Sequence, residues 1–352
     1  MSTTPTPAGR TAPEILDALK HIVEPALRAA IDRLEDPRMR LIARYQMGWC
    51  DSAGNPARGG GKAIRPALAV LSAAAAGGRL EDGVPAAVAV ELVHNFSLLH
   101  DDVMDRDVER RHRPTGWVAF GEAQAILAGT AMLTAAVEVL VVAGPAGQRC
   151  LPCLLDAVQR LIGGQSEDIE MEGRADVDVG DVLRMEAGKT AALLSCAASI
   201  GALAIDAPDE VVAGLAAYGF HIGIAFQMVD DILGVVGDPA ETGKSSSSDV
   251  RAGKRSAPIV AALGAGSDAS QRLADLLSDG PPTDDEDVAL ATRLIVAAGG
   301  VDWAAQEADA RLVQAREHLD ALALPHRDAA AELATVADYI VTRGRVLNVT
   351  GT

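Results

Sequence analysis

The sequence has few aromatic residues and no long uninterrupted apolar run, and each scarcity removes a class of protein. Aromatic residues make up only 3% of the 352 residues, and the alternation of apolar and polar residues that is typical of β-strands is scarce. No apolar stretch reaches about 18 residues without a polar interruption, so the sequence predicts no transmembrane helix and no stable membrane anchoring. Residues 1–13 lack the basic start and apolar run of a signal peptide, and we expect them to be disordered.

Net positive charge and a convincing cysteine motif are also missing. The formal net charge of −18 argues against a nucleic-acid partner and against docking to anionic lipid. Of the four cysteines, Cys150 and Cys153 have the spacing of a redox motif. No strand and helix pattern surrounds them, so a pair of small buried thiols explains them better. We expect a cytoplasmic protein.

Alanine, leucine and valine dominate the composition instead, with apolar residues at the three- and four-residue spacing of helices. The clearest such stretches are 84–100, 122–143, 183–204 and 210–233. No fixed-period repeat is visible and no change of composition marks a linker. We therefore expect a single all-α domain over residues 14–352.

Two aspartate clusters end apolar stretches that are predicted to be helical. They are Asp101-Asp102-Val-Met-Asp105 and Asp230-Asp231. On a helix Asp105 lies about 40° from Asp101, so these two carboxylates share a face. Carboxylates at the edge of an apolar surface repel one another and are costly to desolvate, and a cation should neutralise them. Mg²⁺, which binds carboxylate oxygens together with substrate phosphates, fits best; a solvated acidic helix end is the alternative for either cluster alone.

Basic residues are bunched locally, which in an acidic chain suggests a small anionic ligand. The segment Gly61-Lys62-Ala-Ile-Arg65-Pro66 offers a lysine and an arginine beside glycine, but it lacks the first glycine and the hydroxyl of a Walker loop. Arg110 and Arg111 follow the first aspartate cluster, and Lys189-Thr190 interrupts a helical stretch. For the first segment an ordinary glycine-rich helix entry is the alternative, and for Lys189-Thr190 a structural pair.

Two further segments are predicted to lie outside the helices or at their ends. Residues 237–254 are polar and contain several glycines, which predicts a loop. Lys244 and Lys254 make this loop a candidate lid over the metal site. An ordinary surface loop is the alternative. The acidic run 284–287 follows Gly280-Pro281-Pro282, and we interpret it as a helix start or a loop rather than a metal site.

Taken together, these segments resemble the trans-isoprenyl diphosphate synthases, or polyprenyl synthetases, over about residues 58–260. Gly61–Pro66 is similar to the GKxxRP motif of the family, and His94 through Asp105 resembles its first aspartate-rich motif with the upstream histidine and downstream arginines. Lys189-Thr190 resembles the KT element, and Phe226–Asp231 the second aspartate-rich motif. The resemblance implies an antiparallel helical bundle around a deep central cavity, usually as a homodimer, and a Mg²⁺-dependent head-to-tail prenyltransferase.

The resemblance also implies a role for each matching residue. Three Mg²⁺ ions would be held by Asp101, Asp105 and Asp231, with Asp102 and Asp230 nearby. The allylic diphosphate would be bound by Arg110, Lys189, Lys244 and Lys254, and isopentenyl diphosphate by Lys62, Arg65, His94 and Arg111. Thr190 and Gln227 would lie beside the forming allylic cation, and Lys189, Thr190 and Gln227 are the residues expected to be catalytic. The released diphosphate would take the final proton, so no side-chain nucleophile is required.

Two features bear on metal affinity and on product length. The second motif of the family usually ends in aspartate, but here that position is Gly234, which we expect to weaken one metal contact unless Asp238 supplies an outer carboxylate. Phe96 and Ser97, five and four residues before Asp101, resemble the pattern of short-chain synthases. We therefore expect geranylgeranyl diphosphate as the product, with farnesyl diphosphate second.

Two other functions use the same motifs. A terpene cyclase of this fold would keep the aspartates but has no use for Lys62, Arg65, His94 and Arg111. A non-catalytic subunit of a heteromeric synthase would typically lack metal-binding aspartates, whereas here only Gly234 deviates. Both alternatives are weaker than the transferase.

Overall fold

The chain folds into a bundle of helices. A computed structural model describes residues 9–57, 59, 61–172, 174, 176–237, 247–278 and 280–345. Its first half contains α1 (Ala12–Asp32), α2 (Pro37–Gln46), α3 (Ile64–Ala75), α4 (Val84–Met104), α5 (Gly116–Phe120), α6 (Glu122–Val142), α7 (Pro145–Met171) and α8 (Val179–Glu186). The second half contains α9 (Ala192–Ala204), α10 (Asp209–Val236), α11 (Ser248–Ala252), α12 (Ala257–Gly264), α13 (Asp268–Leu276), α14 (Asp285–Ala297), α15 (Gly300–Asp320) and α16 (Arg327–Arg345).

Little else is regular in the described residues. A 3₁₀ turn (Leu80–Gly83) precedes α4, and a π-helical turn (Ala187–Ala191) joins α8 to α9. Two strands of two residues each, β1 (Glu109–Arg110) and β2 (Arg113–Pro114), form a hairpin after α4. The prediction of a single all-α domain is confirmed, and the four apolar stretches identified in the sequence all lie in helices.

The core is built from alanine-rich helices that pack closely. Helix α3 packs on α4 and α9, α4 packs on α6, and α10 packs on α9 and α15. In α3 every residue from Pro66 to Ala75 is buried, so this helix runs through the interior of the bundle. Because α4 and α10 both pass through the core, packing fixes the backbone positions of the aspartates near their C-terminal ends.

The N-terminal prediction requires a correction. Helix α1 begins at Ala12 with Pro13 in its first turn, and the backbone N–H of Thr11 donates a hydrogen bond to Glu14 Oε2 at 2.8 Å. This arrangement satisfies a helix N-terminus. The disordered segment predicted over residues 1–13 therefore extends too far, and residues 1–8 lie outside the described part of the chain.

The argument from apolar runs also needs correcting. Three helical segments, Glu122–Val142, Val179–Ala204 and Asp209–Val236, are long and apolar enough by length and composition to cross a membrane. Single polar residues interrupt these runs but hardly lower their mean hydropathy. The segments belong to the packed bundle, where α6 contacts α4 and α7, and α10 contacts α9 and α15. The absence of stable membrane anchoring stays a prediction.

Two smaller predictions agree with the structure. Asp284 caps α14 by accepting a hydrogen bond from the N–H of Asp287 at 2.8 Å, so the acidic run is a helix start, as predicted. Cys150 is buried and Cys153 half-buried, and both are free thiols. Burial raises the pKa of Cys150 to about 12.

Candidate active site

The first aspartate cluster lies at the C-terminal end of α4. Asp105 caps this helix, and its N–H donates to the carbonyl of Asp101 at 2.8 Å. Asp101 and Asp105 therefore lie one turn apart on one face, as the helical spacing predicts, and both line a cavity of about 300 Å³.

Asp102 has different surroundings from Asp101 and Asp105, and its role as a metal ligand stays a prediction. Its side chain is 1% exposed and accepts a hydrogen bond from Arg110 Nε at 2.7 Å. It does not line the cavity, because the 100° step along the helix turns it toward the hairpin. Burial raises the pKa of Asp102, and the Arg110 guanidinium partly offsets this effect. Asp102 thus positions Arg110 rather than facing the ligand space.

The second cluster lies near the end of α10, and its two aspartates also have different surroundings. Asp230 lines the cavity that contains Asp101 and Asp105. Asp231 is 6% exposed, and its oxygens accept hydrogen bonds from Gln227 Nε2 at 2.7 Å and from the N–H of Ala257 at 2.9 Å. Asp230 therefore shares the larger cavity with the first cluster, and the predicted role of Asp231 as a metal ligand stays a prediction.

Both clusters have carboxylates whose charge is disfavoured. Burial, reinforced by the neighbouring charge of Asp105, raises the pKa of Asp101 to about 6 even though Lys189 opposes the shift. Burial and the charge of Asp249 raise the pKa of Asp231 to about 7. A carboxylate in this situation is stabilised by an added cation.

Two lysines form ion pairs with aspartates of the site. Lys189 forms an ion pair with Asp168 of α7, and Lys254 Nζ lies 3.2 Å from Asp105 Oδ2. Burial lowers the pKa of Lys254, but the Asp105 and Asp249 carboxylates outweigh this and raise it above the usual value. Both lysines line the cavity.

The π-helical turn explains how Lys189 reaches the cavity. A Cβ on Gly164 of α7 would lie 2.7 Å from the carbonyl oxygen of Met185, and one on Gly188 would lie 2.8 Å from that of Arg160. Glycine at both positions therefore allows α7 and the turn to touch backbone to backbone. Single π turns inside helices are frequent at functional sites. Here the turn places Lys189 and Thr190 in the cavity wall.

Thr190 and Gln227 form a polar chain across this wall. Thr190 Oγ1 donates a hydrogen bond to Gln227 Oε1 at 2.8 Å, and Gln227 Nε2 donates to Asp231 Oδ1 at 2.7 Å. The amide of Gln227 is thereby fixed in one orientation. The sequence placed these residues together, and the structure shows that they are in contact.

The basic side of the cavity is formed by the hairpin and by α3. Arg111 and His112 occupy the turn between β1 and β2 with φ of 54° and 57°, the left-handed conformation that a two-residue hairpin turn requires. Each such non-glycine residue costs about 1–2 kcal/mol. Strain of this kind is concentrated at functional sites. The turn places Arg111 in the cavity lining, beside the backbone of Gly61.

Arg65 and His94 complete this basic side. Arg65 Nη1 lies 3.3 Å from His94 Nε2, and because arginine only donates, His94 accepts this hydrogen bond and carries its proton on Nδ1. Burial and the charges of Arg65 and Arg111 lower the pKa of His94 well below its usual range. His94 is therefore neutral and acts as a hydrogen-bonding group, not as a cation.

Some predicted residues lie elsewhere. Lys62 is exposed, with its Nζ 5.6 Å from the ring centre of Tyr339, and it does not line the cavity. Lys244 and Asp238 lie outside the described residues. Ser97 lines the cavity, but Phe96 does not, because its ring packs edge-on against His100 at 5.1 Å between ring centres. The influence of Phe96 on product length stays a prediction.

The structure also adds residues that the sequence analysis did not assign. Leu98, Leu161, Leu193 and Phe226 form apolar wall, and Asp107 lies at the acidic side. A second, adjoining cavity of about 160 Å³ contains Asp168, Glu186, Asp230, Asp231, Asp249 and Arg255. No motif in the sequence singled out Glu186 or Asp249.

The donor set fits Mg²⁺. Asp101, Asp105 and Asp230 offer carboxylate oxygens to one cavity, and burial raises the pKa of Asp101 there. Among the described residues no group of three or more His, Cys, Asp or Glu side chains is arranged to hold an ion by itself. Mg²⁺ normally binds through one or two carboxylates and completes its shell with water and phosphate oxygens. The arrangement therefore suits a cation that arrives with a phosphorylated ligand.

Comparison with known proteins agrees with this chemistry. The sequence model of the polyprenyl synthetase family matches residues 49–295. A (2E,6E)-farnesyl diphosphate synthase of Mycobacterium tuberculosis is 45% identical over 339 residues, which cover 95% of this chain and 94% of that protein. A geranylgeranyl diphosphate synthase of the same organism is 43% identical over 317 residues, covering 88% and 89%.

Solved structures are similar over nearly the whole chain. A polyprenyl synthetase from Streptomyces coelicolor A3(2) is 48% identical with a TM-score of 0.88, covering 93% of this chain and 99% of that one. A geranylgeranyl pyrophosphate synthase from Corynebacterium glutamicum, complexed with isoprenyl diphosphate and magnesium, is 29% identical with a TM-score of 0.79, covering 94% and 98%. The chain belongs to the polyprenyl synthetase family. It is accordingly a trans-prenyltransferase, and the resemblance found in the sequence is confirmed.

Proposed function

We propose that the protein condenses isopentenyl diphosphate head-to-tail with an allylic diphosphate, with Mg²⁺ as cofactor. The observation that carries this proposal is one cavity lined by two chemically different sets of side chains. Asp101, Asp105 and Asp230 form the set that we name the acidic side, and Arg65 and Arg111 belong to the set that we name the basic side. Two diphosphates fit such a site, one bound with cations to the acidic side and one bound directly by guanidinium groups.

The acidic side would bind the allylic diphosphate. Asp101, Asp105 and Asp230 would hold the Mg²⁺ ions, for which we propose the number three, and Asp231 orients Gln227 behind them. When bound, Mg²⁺ neutralises the charge that develops on the departing diphosphate. Lys189 and Lys254 lie in the same wall and would bind the diphosphate oxygens. Magnesium in a related structure supports this assignment.

Arg110 would also bind the allylic diphosphate while its ion pair with Asp102 stays in place. Its guanidinium lines the cavity while the Asp102 carboxylate fixes its Nε, so its direction is set before the substrate arrives. Such fixed donors stabilise developing charge without reorganisation. A contribution of Lys244 to this subsite stays a prediction.

The basic side would bind isopentenyl diphosphate. Arg65 and Arg111 supply charge, and neutral His94 supplies the N–H on Nδ1. Burial lowers the pKa of Arg65, and an added anion would stabilise such a desolvated guanidinium group. Lys62, exposed beside Tyr339, would reach the outer phosphate.

Between the two subsites, Thr190 and Gln227 would face the allylic cation. The Thr190–Gln227–Asp231 chain holds polar oxygens in place without offering a nucleophile, which suits the stabilisation of a short-lived cation. The apolar wall from Leu98, Leu161 and Leu193 would keep water away from it.

We propose geranylgeranyl diphosphate as the product and farnesyl diphosphate as the second choice. Farnesyl and geranylgeranyl diphosphate synthases are both similar to this chain over most of its length. The comparisons therefore support the enzyme class, and the chain length of the product has to be argued from the cavity. The small Ser97 in the wall leaves room for a growing chain. Product analysis by mass spectrometry with C5, C10 and C15 primers tests this, and a C15 end product from every primer would contradict it.

The reaction itself is tested with purified protein, Mg²⁺ and labelled isopentenyl diphosphate. Prenyl diphosphate should form with each accepted primer, and Asp101→Asn should abolish its formation. A hydrocarbon formed from geranylgeranyl diphosphate alone would indicate a terpene cyclase, and an inactive wild-type protein would indicate a non-catalytic subunit. The intact basic side of the cavity favours the transferase over both.

We also propose a cytoplasmic homodimer. Exposed apolar side chains lie on two adjacent helices: Ile126, Leu127, Val141 and Val142 on α6, and Leu155, Ile162 and Ile169 on α7. Contiguous exposed apolar surface on a globular protein usually marks an interface. Sedimentation of wild type and Leu127→Glu tests this, since the wild type should sediment as a dimer and the variant should dissociate already at protein concentrations at which the wild type stays dimeric. Sedimentation of the wild type as a monomer would contradict it.

A further inference from the structure

Gly234 lies on α10 one turn after Asp230, and its missing side chain leaves a space that another residue fills. A Cβ on Gly234 would lie 2.7 Å from Asp249 Oδ1, 2.5 Å from its Cγ, and still closer to its Oδ2. These separations are too short for real atoms. The carboxyl group of Asp249 therefore occupies the volume into which a side chain at position 234 would project.

The position of Asp249 is fixed by its surroundings. Ser247, just before α11, donates a hydrogen bond from its Oγ to the carbonyl of Val235 at 3.0 Å, and the same Oγ lies 2.9 Å from Thr292 Oγ1. The N–H of Lys254 donates to the carbonyl of Asp249 at 3.0 Å. These contacts fasten α11 against α10 and hold Asp249 over Gly234.

Asp249 also shares a cavity with the second aspartate cluster. Asp230, Asp231 and Asp249 line the cavity of about 160 Å³, together with Glu186. Glu186 is 2% exposed, and its carboxyl group interacts with that of Asp231, while no other hydrogen-bonding group of the described residues reaches its oxygens. Two adjacent buried carboxyl groups disfavour each other's charge, which an added cation would relieve. The cavity has mixed charge, because five acidic side chains, including Asp168, line it together with Lys189, Lys254 and Arg255.

We propose that Asp249 supplies the carboxylate that the second aspartate motif lacks at Gly234, and so acts as a positioning residue for the Mg²⁺ site there. The glycine is then not a defect that weakens the site, because its bare backbone admits the replacement carboxylate from α11. This inference rests on the proposed metal-binding function of Asp230. It reverses the expectation that an aspartate at position 234 would strengthen metal binding.

The proposal predicts a specific pattern of Mg²⁺ affinities. The measured quantity is the Mg²⁺ midpoint, which is the Mg²⁺ concentration that gives half of the maximal increase in unfolding temperature. Inorganic diphosphate is present throughout. Asp249→Ala and Gly234→Ala should each raise the Mg²⁺ midpoint about tenfold, the low end of the loss seen when outer partners of a metal site are removed. Asp249→Ala removes the carboxylate of Asp249, and the added Cβ of Gly234→Ala displaces that carboxylate.

An exchange of the two positions gives the sharpest test. Gly234→Asp alone should weaken Mg²⁺ binding, because two carboxylates cannot share one space. The double variant Gly234→Asp/Asp249→Ala should restore it to near the wild-type value. Asp285→Ala is the matched control: Asp285 pairs with Arg251 of α11 at 2.6 Å but is exposed and outside the cavity, so its loss should leave the Mg²⁺ midpoint unchanged.

The outcomes separate this inference from the function on which it rests. If wild type binds Mg²⁺ but Asp249→Ala and Asp249→Asn bind it equally well, the inference is wrong and the proposed function stands. A metal-free unfolding temperature that falls in these variants while the Mg²⁺ midpoint stays constant would show a merely structural role, and also overturns it. If wild type shows no Mg²⁺ response, both fail. Should Gly234→Asp not fold, Asp249→Asn and Gly234→Ala still decide the question.

Discussion

Asp101 and Asp102 are adjacent in sequence, yet the structure predicts opposite effects when each is removed. Asp101 lines the cavity, and burial raises its pKa from 3.8 to about 6. Asp102 is buried against Arg110, with Oδ1 2.6 Å from Nη2. Asp101→Asn should therefore stabilise the metal-free protein and abolish activity, whereas Asp102→Ala should destabilise it.

The magnitudes follow from the surroundings of each carboxylate. An acid whose folded pKa is raised destabilises the fold above that pKa, so at pH 7.5 Asp101 costs up to about 3 kcal/mol. Breaking a buried ion pair costs about 3–5 kcal/mol. We expect the low end for Asp102→Ala, because Asp107 remains 3.6 Å from Arg110. With an unfolding entropy of about 2.1 cal/mol/K per residue, either change shifts the unfolding temperature by about 4 °C, in opposite directions.

Thermal unfolding in EDTA at pH 7.5 measures both shifts, and initial rates in excess Mg²⁺ measure catalysis. Asp101→Asn should lose at least about 100-fold in kcat, the cost of removing one electrostatic contact at a developing charge. Asp102→Ala should keep its Mg²⁺ midpoint. Equal loss of Mg²⁺ affinity in both variants, with unchanged unfolding temperatures, would refute the division of roles.

Four further predictions concern the cavity wall and its charges. Thr190→Val should lower kcat about tenfold with KM little changed, because it frees Gln227. Phe96→Ala should lengthen the product seen by mass spectrometry, since it opens space between α4 and α6 behind Ser97. Lys254→Met should weaken binding of inorganic diphosphate, measured calorimetrically, by about tenfold or more. Because the pKa of Asp231 is raised to about 7 when folded, the metal-free protein should lose stability as pH rises from about 4 to 7. The gain in unfolding temperature on adding Mg²⁺ should grow over the same range.

The parts of the site that could be predicted from sequence depend on local geometry. Asp101 and Asp105 share a face because they are four residues apart on a helix, and the alanine-rich stretches form helices because their composition and spacing favour it. The motif order also identified the family. These inferences require no knowledge of how distant segments pack.

The parts that could not be predicted depend on contacts between distant segments. Arg110, the partner of Asp102, returns to it through the left-handed conformation of Arg106, whose φ is 57° and whose residue type does not signal it. The contact between Gly234 and Asp249 depends on how α11 returns to α10. For the adjacent pair Asp230 and Asp231, the sequence sets a 100° separation but does not say which one faces the cavity.

The same packing makes the binding of metal and diphosphate interdependent. Lys254 is held by Asp105 and Lys189 by Asp168, so in the metal-free protein the lysines that would bind diphosphate are engaged by acids. Neutralising Asp105 with a cation weakens its hold on Lys254 and releases that ammonium group for the phosphate oxygens. A bound diphosphate in turn would supply oxygen ligands to the cation, because the few carboxylates of the cavity do not complete its coordination shell. Each ligand thus removes a cost that the other would face, which is positive coupling between the two. On the proposed function, binding of both ligands together would relieve the unfavourable carboxylate charge at Asp101 and Asp231.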